Sequence, residues 1–184
     1  AIPCVVLVWI MLQNTGQGLG TAIAAAGQRL SQIVTMSFPN ASPETLTLSS
    51  SAFIGVLVAA LLPPELVAAA IRPLEDQPLL LLAIIIAIVP LASQIAFNPI
   101  ISVVVLGGAL IRVPGLPVEP TILALALASG WMLALPGSPF SIPCLILGRL
   151  LNRPGTQISW RWNGVYTLMA YATVLGFIGC ARLL

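Results

Sequence analysis

The amino-acid sequence predicts an all-α, polytopic membrane protein with a re-entrant hairpin and a broken transmembrane helix. Three observations lead there. Of 184 residues, 59% are hydrophobic and only 7% are charged, with a mean hydropathy of +1.07, whereas soluble domains carry about 25% charged residues. Twelve charged side chains cannot cover a water-facing surface of this size. Two apolar stretches, 78–113 and 121–151, are each too long for one crossing, and each is interrupted near its middle by polar residues, Pro and Gly. Sixteen prolines in a chain of Leu, Ile, Val and Ala must break helices, and broken membrane helices tend to be functional. A soluble enzyme, a nucleic-acid binder and a disordered chain are excluded. The seven basic residues are all arginine, there is no histidine, and the net charge is +2. No metal site and no cofactor is expected. Cys4, Cys144 and Cys180 are widely spaced in apolar runs and are expected to be buried small hydrophobes.

The elements follow in order. The apolar run 3–12 is half the length of a span, which needs about 20 residues. It has no basic flank or cleavage site, and the expectation is that more of the chain precedes Ala1. Gly16, Gly18 and Gly20 follow, then an Ala-rich helix over 19–33 containing Gln28, Arg29 and Gln32. Residues 37–41 form a loop. Ser42, Pro43 and Glu44 carry helix-start chemistry: a cap, a proline in the first turn and an acid at the positive end. Residues 43–62 make one crossing, stopped by Pro63 and Pro64. A short amphipathic piece over 65–72 leads into a polar loop with Arg72, Glu75 and Asp76. The double proline puts Glu65 at the interface; a crossing that ran on to Ile71 would make it a proton-carrier candidate.

The sequence thus divides into 1–77, a partial span, an interfacial helix and one transmembrane helix, and 78–184, a transport-type module. That module comprises a hairpin (78–113), a broken helix (121–151) and a final span (163–184). Trp160, Trp162 and Tyr166 form an interfacial aromatic belt at the entry to the last span. Arg149, Arg153 and Arg161 place the loop before it on the cytoplasmic side, which puts 72–77, 112–120 and the chain end outside.

At a break inside a bilayer, backbone N–H and C=O groups lose their helical partners and need others. Helix N-termini suit an anion, and unwound carbonyls suit Na⁺. The candidate site residues are therefore Ser93, Gln94, Asn98, Pro99 and Ser102 at the first break, and Gly137, Ser138, Pro139 and Ser141 at the second. Pro99 and Pro139 sit where new half-helices of about 12 to 15 residues would begin. No charged side chain lies between residues 78 and 111 or between 121 and 148. An anion would have to be held by dipoles and neutral donors, with Na⁺ as the candidate coupling ion.

Residues 93–99, running into 100–110, resemble the hairpin tip of the ion transporter superfamily of elevator-type carriers. That superfamily includes divalent anion/sodium symporters and citrate-type transporters. Residues 125–144, with Leu135, Pro136, Gly137, Ser138 and Pro139 at the break, resemble its broken helix. Asn98 matches the hairpin-tip Asn but is followed by Pro99 where the family has Thr; Gly137 and Ser138 stand where further Pro and Asn are common. The resemblance covers about residues 75–184 and its C-terminal half. It implies a secondary active transporter moving a small organic anion by alternating access, in the bacterial inner membrane, with Asn98 and Ser138 lining the site. The partners implied are the lipid bilayer, the anion, the other half of the same chain and, among allowed assemblies, a homodimer. No nucleic acid is expected. The competing reading is a structural or assembly subunit without a solute path. A membrane-embedded enzyme is not expected, for want of His, Lys or a buried acid pair.

Overall fold

The structure, a computed structural model, describes residues 19–32 and 42–181 together with positions 8, 9, 12, 35 and 36. Cys4, Gly16, Gly18, most of the run 3–12 and the loop 37–41 lie outside them. The chain divides into two compact units, 1–48 and 49–184. This division does not coincide with the expected one at residue 77, because the helix before Pro63 packs with the later helices.

In the first unit, α1 (Leu19–Gln32) is the Ala-rich helix, with Gln28, Arg29 and Gln32 exposed. Helix α2 (Ser42–Leu61) begins at the expected Ser42, although the side chains of 42–44 are outside the described set. The second unit continues with α3 (Pro64–Ile71), α4 (Pro78–Ala92), α5 (Pro99–Leu110), α6 (Pro120–Gly137), α7 (Ile142–Leu151) and α8 (Gly164–Ala181). Among the described residues there is no strand. Three segments are long and apolar enough to cross a membrane: Pro78–Ile95, Pro120–Leu151 and Gly164–Ala181. The bent pair formed by α2 and α3 would make a fourth.

Leu81, Leu82, Ile85, Ile86 and Val89 of α4 recur on one helical face and bury against Leu123, Ala126, Leu127 and Leu133 of α6. Gly130 sets their separation: a methyl group there would lie 2.9 Å from the Ile86 carbonyl oxygen and 3.2 Å from Val89 Cβ. That carbonyl has lost its helical donor, since the residue four positions on, Pro90, has no N–H. The bare Gly130 backbone lets α6 come against it. Gly130 meets Ile86 and Ser138 meets Ser93, so α4 and α6 run parallel. Helix α8 runs against both: Gly137 lies beside Thr167 and Gly179 beside Leu79, and Tyr171 Oη donates to the Ala83 carbonyl at 2.8 Å. The outward faces are apolar too, with Leu79, Leu80, Ile84 and Ile88 of α4 exposed. Between lipid-facing helices, close packing of this kind supplies the association that burial supplies in water.

Helix α2 packs along α5 with both chains running the same way, as Ser51 meets Asn98, Gly55 meets Val104 and Ala59 meets Gly108. Methyl groups at Gly55 or Gly108 would lie 2.8 and 2.9 Å from their neighbours, so small residues on both helices permit this approach. Pro63 and Pro64 end α2 by withholding the two N–H groups that the carbonyls of Ala59 and Ala60 would have received. Both carbonyls are taken by one guanidinium: Arg112 Nη1 donates to Ala59 O at 2.6 Å and to Ala60 O at 3.4 Å. The chain then turns by 86° into α3. Glu65 is exposed in the first turn of α3, as the double proline predicts.

Three expectations need correction. The half-helices are unequal: α4 with its 3₁₀ turn and α6 each have 18 residues, while α5 has 12 and α7 has 10. On the α6–α7 side, the helix runs on through Pro136 to Gly137, although Pro136 withholds the N–H that the Met132 carbonyl would receive. Pro139 does not begin a helix; Ser141 caps α7 and Ile142 starts it. Of the two described cysteines, Cys144 is buried but Cys180 is exposed on an outward face of α8.

Arg112→Ala should lower thermal stability in detergent by about 1–3 kcal/mol, the cost of leaving buried polar groups unpaired; Arg112→Lys should recover part of that loss. Gly130→Ala should cost a similar amount by overpacking α4 against α6. Circular-dichroism melts of the purified variants check both.

Candidate functional site

The two helix breaks lie against each other because α4 and α6 run parallel and end at the same level. After α4, a 3₁₀ turn (Ser93–Ile95) ends at Ala96, whose φ of 62° is left-handed. A residue with a Cβ pays about 1–2 kcal/mol to sit there. Phe97 follows, and Asn98 caps α5, its Oδ1 accepting from the Ile100 N–H at 2.9 Å; Pro99 takes the first helical position, where a missing N–H costs nothing. After α6, Ser138 is extended (φ −101°, ψ 131°) and Ser141 caps α7, accepting from the Cys144 N–H.

Four of the nine candidate residues meet at a single polar node. Ser138, 1% exposed, donates its hydroxyl to the Ser93 carbonyl at 2.6 Å and accepts from the Phe140 N–H at 3.2 Å. Gln94 Nε2 donates to the carbonyls of Pro90 and Gly137, both at 3.0 Å. Its Oε1 accepts the Trp160 indole N–H at 2.9 Å. Ser93, 3% exposed, returns its own hydroxyl to Pro90 O at 2.8 Å. Pro139 and Ser141 belong to the same turn: Pro139 withholds the donor that Leu135 O would receive, and the Ser141 hydroxyl supplies it at 2.5 Å. The turn is closed from outside by Gly155, where any side chain would collide with the Pro139 carbonyl.

The other three candidates lie elsewhere. Asn98 Nδ2 donates to Ser51 Oγ of α2 at 2.9 Å. Ser102 is one turn further along α5; its hydroxyl is buried and has no hydrogen-bond partner among the described residues. The node is uncharged throughout. The two open hollows, about 420 and 510 Å³, are lined by residues of the α7 end and of the α2–α5 groove, away from the node.

Ser51 and Trp160 were not singled out as site residues by sequence reasoning. The polar triplet 49–51 inside an apolar helix is the one signal that pointed toward Ser51. Trp160 carries the expected interfacial exposure (59%), yet its indole N–H is committed to Gln94. It lies in a π-helical turn, Gln157–Trp162, of the kind that recurs at functional sites. In that turn Ser159 is fully buried with no hydroxyl partner among the described residues.

Fold and site together define an all-helical chain with three, or with the bent pair four, helices of membrane-crossing length and apolarity. No protein-family model matches it, and neither a curated protein nor a solved structure matches it.

Ser138→Ala and Gln94→Leu should each lower thermal stability by about 1–2 kcal/mol. Their combined effect should depart from additivity by about 0.5 kcal/mol or more, because both side chains tie together the same two breaks. A double-mutant cycle on melting curves measures this.

Proposed function

We propose that the chain is a membrane-embedded part of a secondary active transporter, with 78–113 as a re-entrant hairpin, 120–151 as a broken helix, and a small organic anion as the solute. The observation that carries this reading is the meeting of two helix breaks at one uncharged polar node, Ser93–Gln94 against Gly137–Ser138. The helix C-termini at Ser93 and Gly137 form it, and the N-termini of α5 and α7, at Pro99 and Ile142, follow in sequence. An anion would be met by N–H groups and positive partial charge, and a cation such as Na⁺ by released carbonyls. In the state described here the node is closed on itself. Opening it means exchanging the Ser138–Ser93 and Gln94–Gly137 hydrogen bonds for bonds to a solute. At about 1 kcal/mol net each, that cost lies within reach of a binding event.

A second reading, a structural subunit without a solute path, is favoured by that same saturation. Ser93, Gln94, Asn98, Ser138 and Ser141 all already have protein partners. The two readings separate in uptake assays on proteoliposomes holding the whole protein. A carrier should lose most dicarboxylate uptake in Na⁺-free buffer and at least tenfold of its rate in Ser138→Ala, while that variant stays folded. Uptake unchanged by both manipulations would remove the carrier reading and leave the structural one.

A further inference from the structure

We propose that the open groove at the end of α7 is a binding site for the phosphate headgroup of an anionic phospholipid, in the leaflet on the side of the Arg149–Arg161 loop. This rests on the membrane-embedded reading given above, but not on transport. The groove, about 420 Å³, is lined by Leu145, Arg149, Asn152, Arg153 and Pro154, with Gly148 at its base. Both guanidiniums are exposed, and neither has a hydrogen bond or ion pair among the described residues.

The usual occupant of a C-terminal arginine, the helix's own last carbonyls, is already provided for. Asn152 is left-handed (φ 51°) and its N–H donates to Arg149 O, while the Arg153 N–H reaches back to Gly148 O at 2.9 Å. This closed Schellman-type turn leaves the guanidiniums without backbone work. It also holds the backbone between them in one shape: a methyl group at Gly148 would lie 2.8 Å from the Arg153 carbonyl, and Gly155 is pressed on Pro139. The two arginines therefore project from a fixed frame, and a frame that need not be ordered on binding favours a ligand.

Among the described side chains of the second unit no acid lies beside these arginines: Glu65, Glu75, Asp76 and Glu119 flank the opposite ends of α2, α4 and α6, the ends near Arg112. The segment 149–161 itself carries three arginines and no acid. Guanidinium pairs match phosphate oxygens in geometry as well as charge. The rim favours a phosphate that carries acyl chains: Leu150 is 75% exposed, and Leu145, Ile146, Trp160 and Trp162 are open beside it. Basic pockets at the ends of membrane helices with such rims suit lipid headgroups, each arginine adding about 1 kcal/mol.

The test uses the whole protein purified in neutral detergent. Its melting temperature is followed on addition of phosphatidylglycerol, of phosphatidylcholine and of inorganic phosphate. Phosphatidylglycerol should raise the melting temperature well above the other two. In Arg149→Gln/Arg153→Gln the concentration needed for half the shift should rise about tenfold or more, from the loss of two contacts of about 1 kcal/mol each. Arg161→Gln, which removes one charge from the same loop but outside the groove, should keep the shift. An equal response to both lipids would overturn the proposal, as would a shift that survives the double substitution or one reproduced by inorganic phosphate alone. If the double variant fails to fold, Arg149→Lys/Arg153→Lys replaces it; it should keep the lipid preference with weakened affinity, and an unweakened response counts against the site. Carbonate extraction of membranes distinguishes the underlying reading: a protein released by carbonate overturns both. One that stays in the membrane without lipid preference overturns only the headgroup site.

Discussion

A proline that interrupts or directly follows a helix in an apolar chain withholds one N–H and leaves, four residues earlier, a carbonyl that lipid could not satisfy. Much of this structure can be understood as the set of answers to that demand. The carbonyls of Ala59 and Ala60, orphaned by Pro63 and Pro64, are answered from 52 or 53 residues away by Arg112. Leu135 O, orphaned by Pro139, is answered locally by Ser141. Ile86 O, orphaned by Pro90, lies where Gly130, having no side chain, lets α6 come close. In each case the partner also fixes a packing relation: α5 beside α2, α7 after α6, and α6 against α4.

The polar node extends this logic from prolines to helix ends. The last carbonyls of α4 and α6 face one another's breaks, and Ser138 and Gln94 cross the gap to reach them. A node built this way is stable while closed. It is also a place where exchangeable side-chain hydrogen bonds help to hold two long helices together. A solute able to replace the same bonds would find its partners already grouped. The charged groups stay clear of the node. In the second unit, Glu65, Glu75, Asp76 and Glu119 flank the helix ends near Arg112, while Arg149 in the last turn of α7 and Arg153 and Arg161 before α8 have no side-chain partner among the described residues.

Much of the fold was legible because helix length and interruption are local properties. The span ending at Pro63, the short helix after it, the break around Ser93–Asn98, the exposed Glu65 and the final helix all appear close to where composition and proline chemistry place them. Proline positions alone misled at Pro136 and Pro139, since α6 carries Pro136 inside it as far as Gly137 and the residue that caps α7 is Ser141. Cys180 was misread because an apolar run in an apolar bundle does not imply an inward face. The polar residues at the breaks could be read by type but not by grouping. Asn98 and Ser102 sit on α5, near α2, while Ser93, Gln94, Gly137 and Ser138 converge.

By itself the sequence determined the apolar character of the helices, the helical class and the positions where helices must stop. Each follows from composition and from the missing N–H of proline, and neither depends on a distant residue. Only the tertiary structure decided which donor answers which orphaned carbonyl. Nothing in the chain marks Arg112 for Ala59, Gln94 for Gly137 or Trp160 for Gln94, because those pairings depend on helix direction and on the close approaches that Gly55, Gly108 and Gly130 allow. The same holds for Arg149 and Arg153. The sequence gives them their charge, and the closed turn between them leaves that charge free for a partner outside the chain.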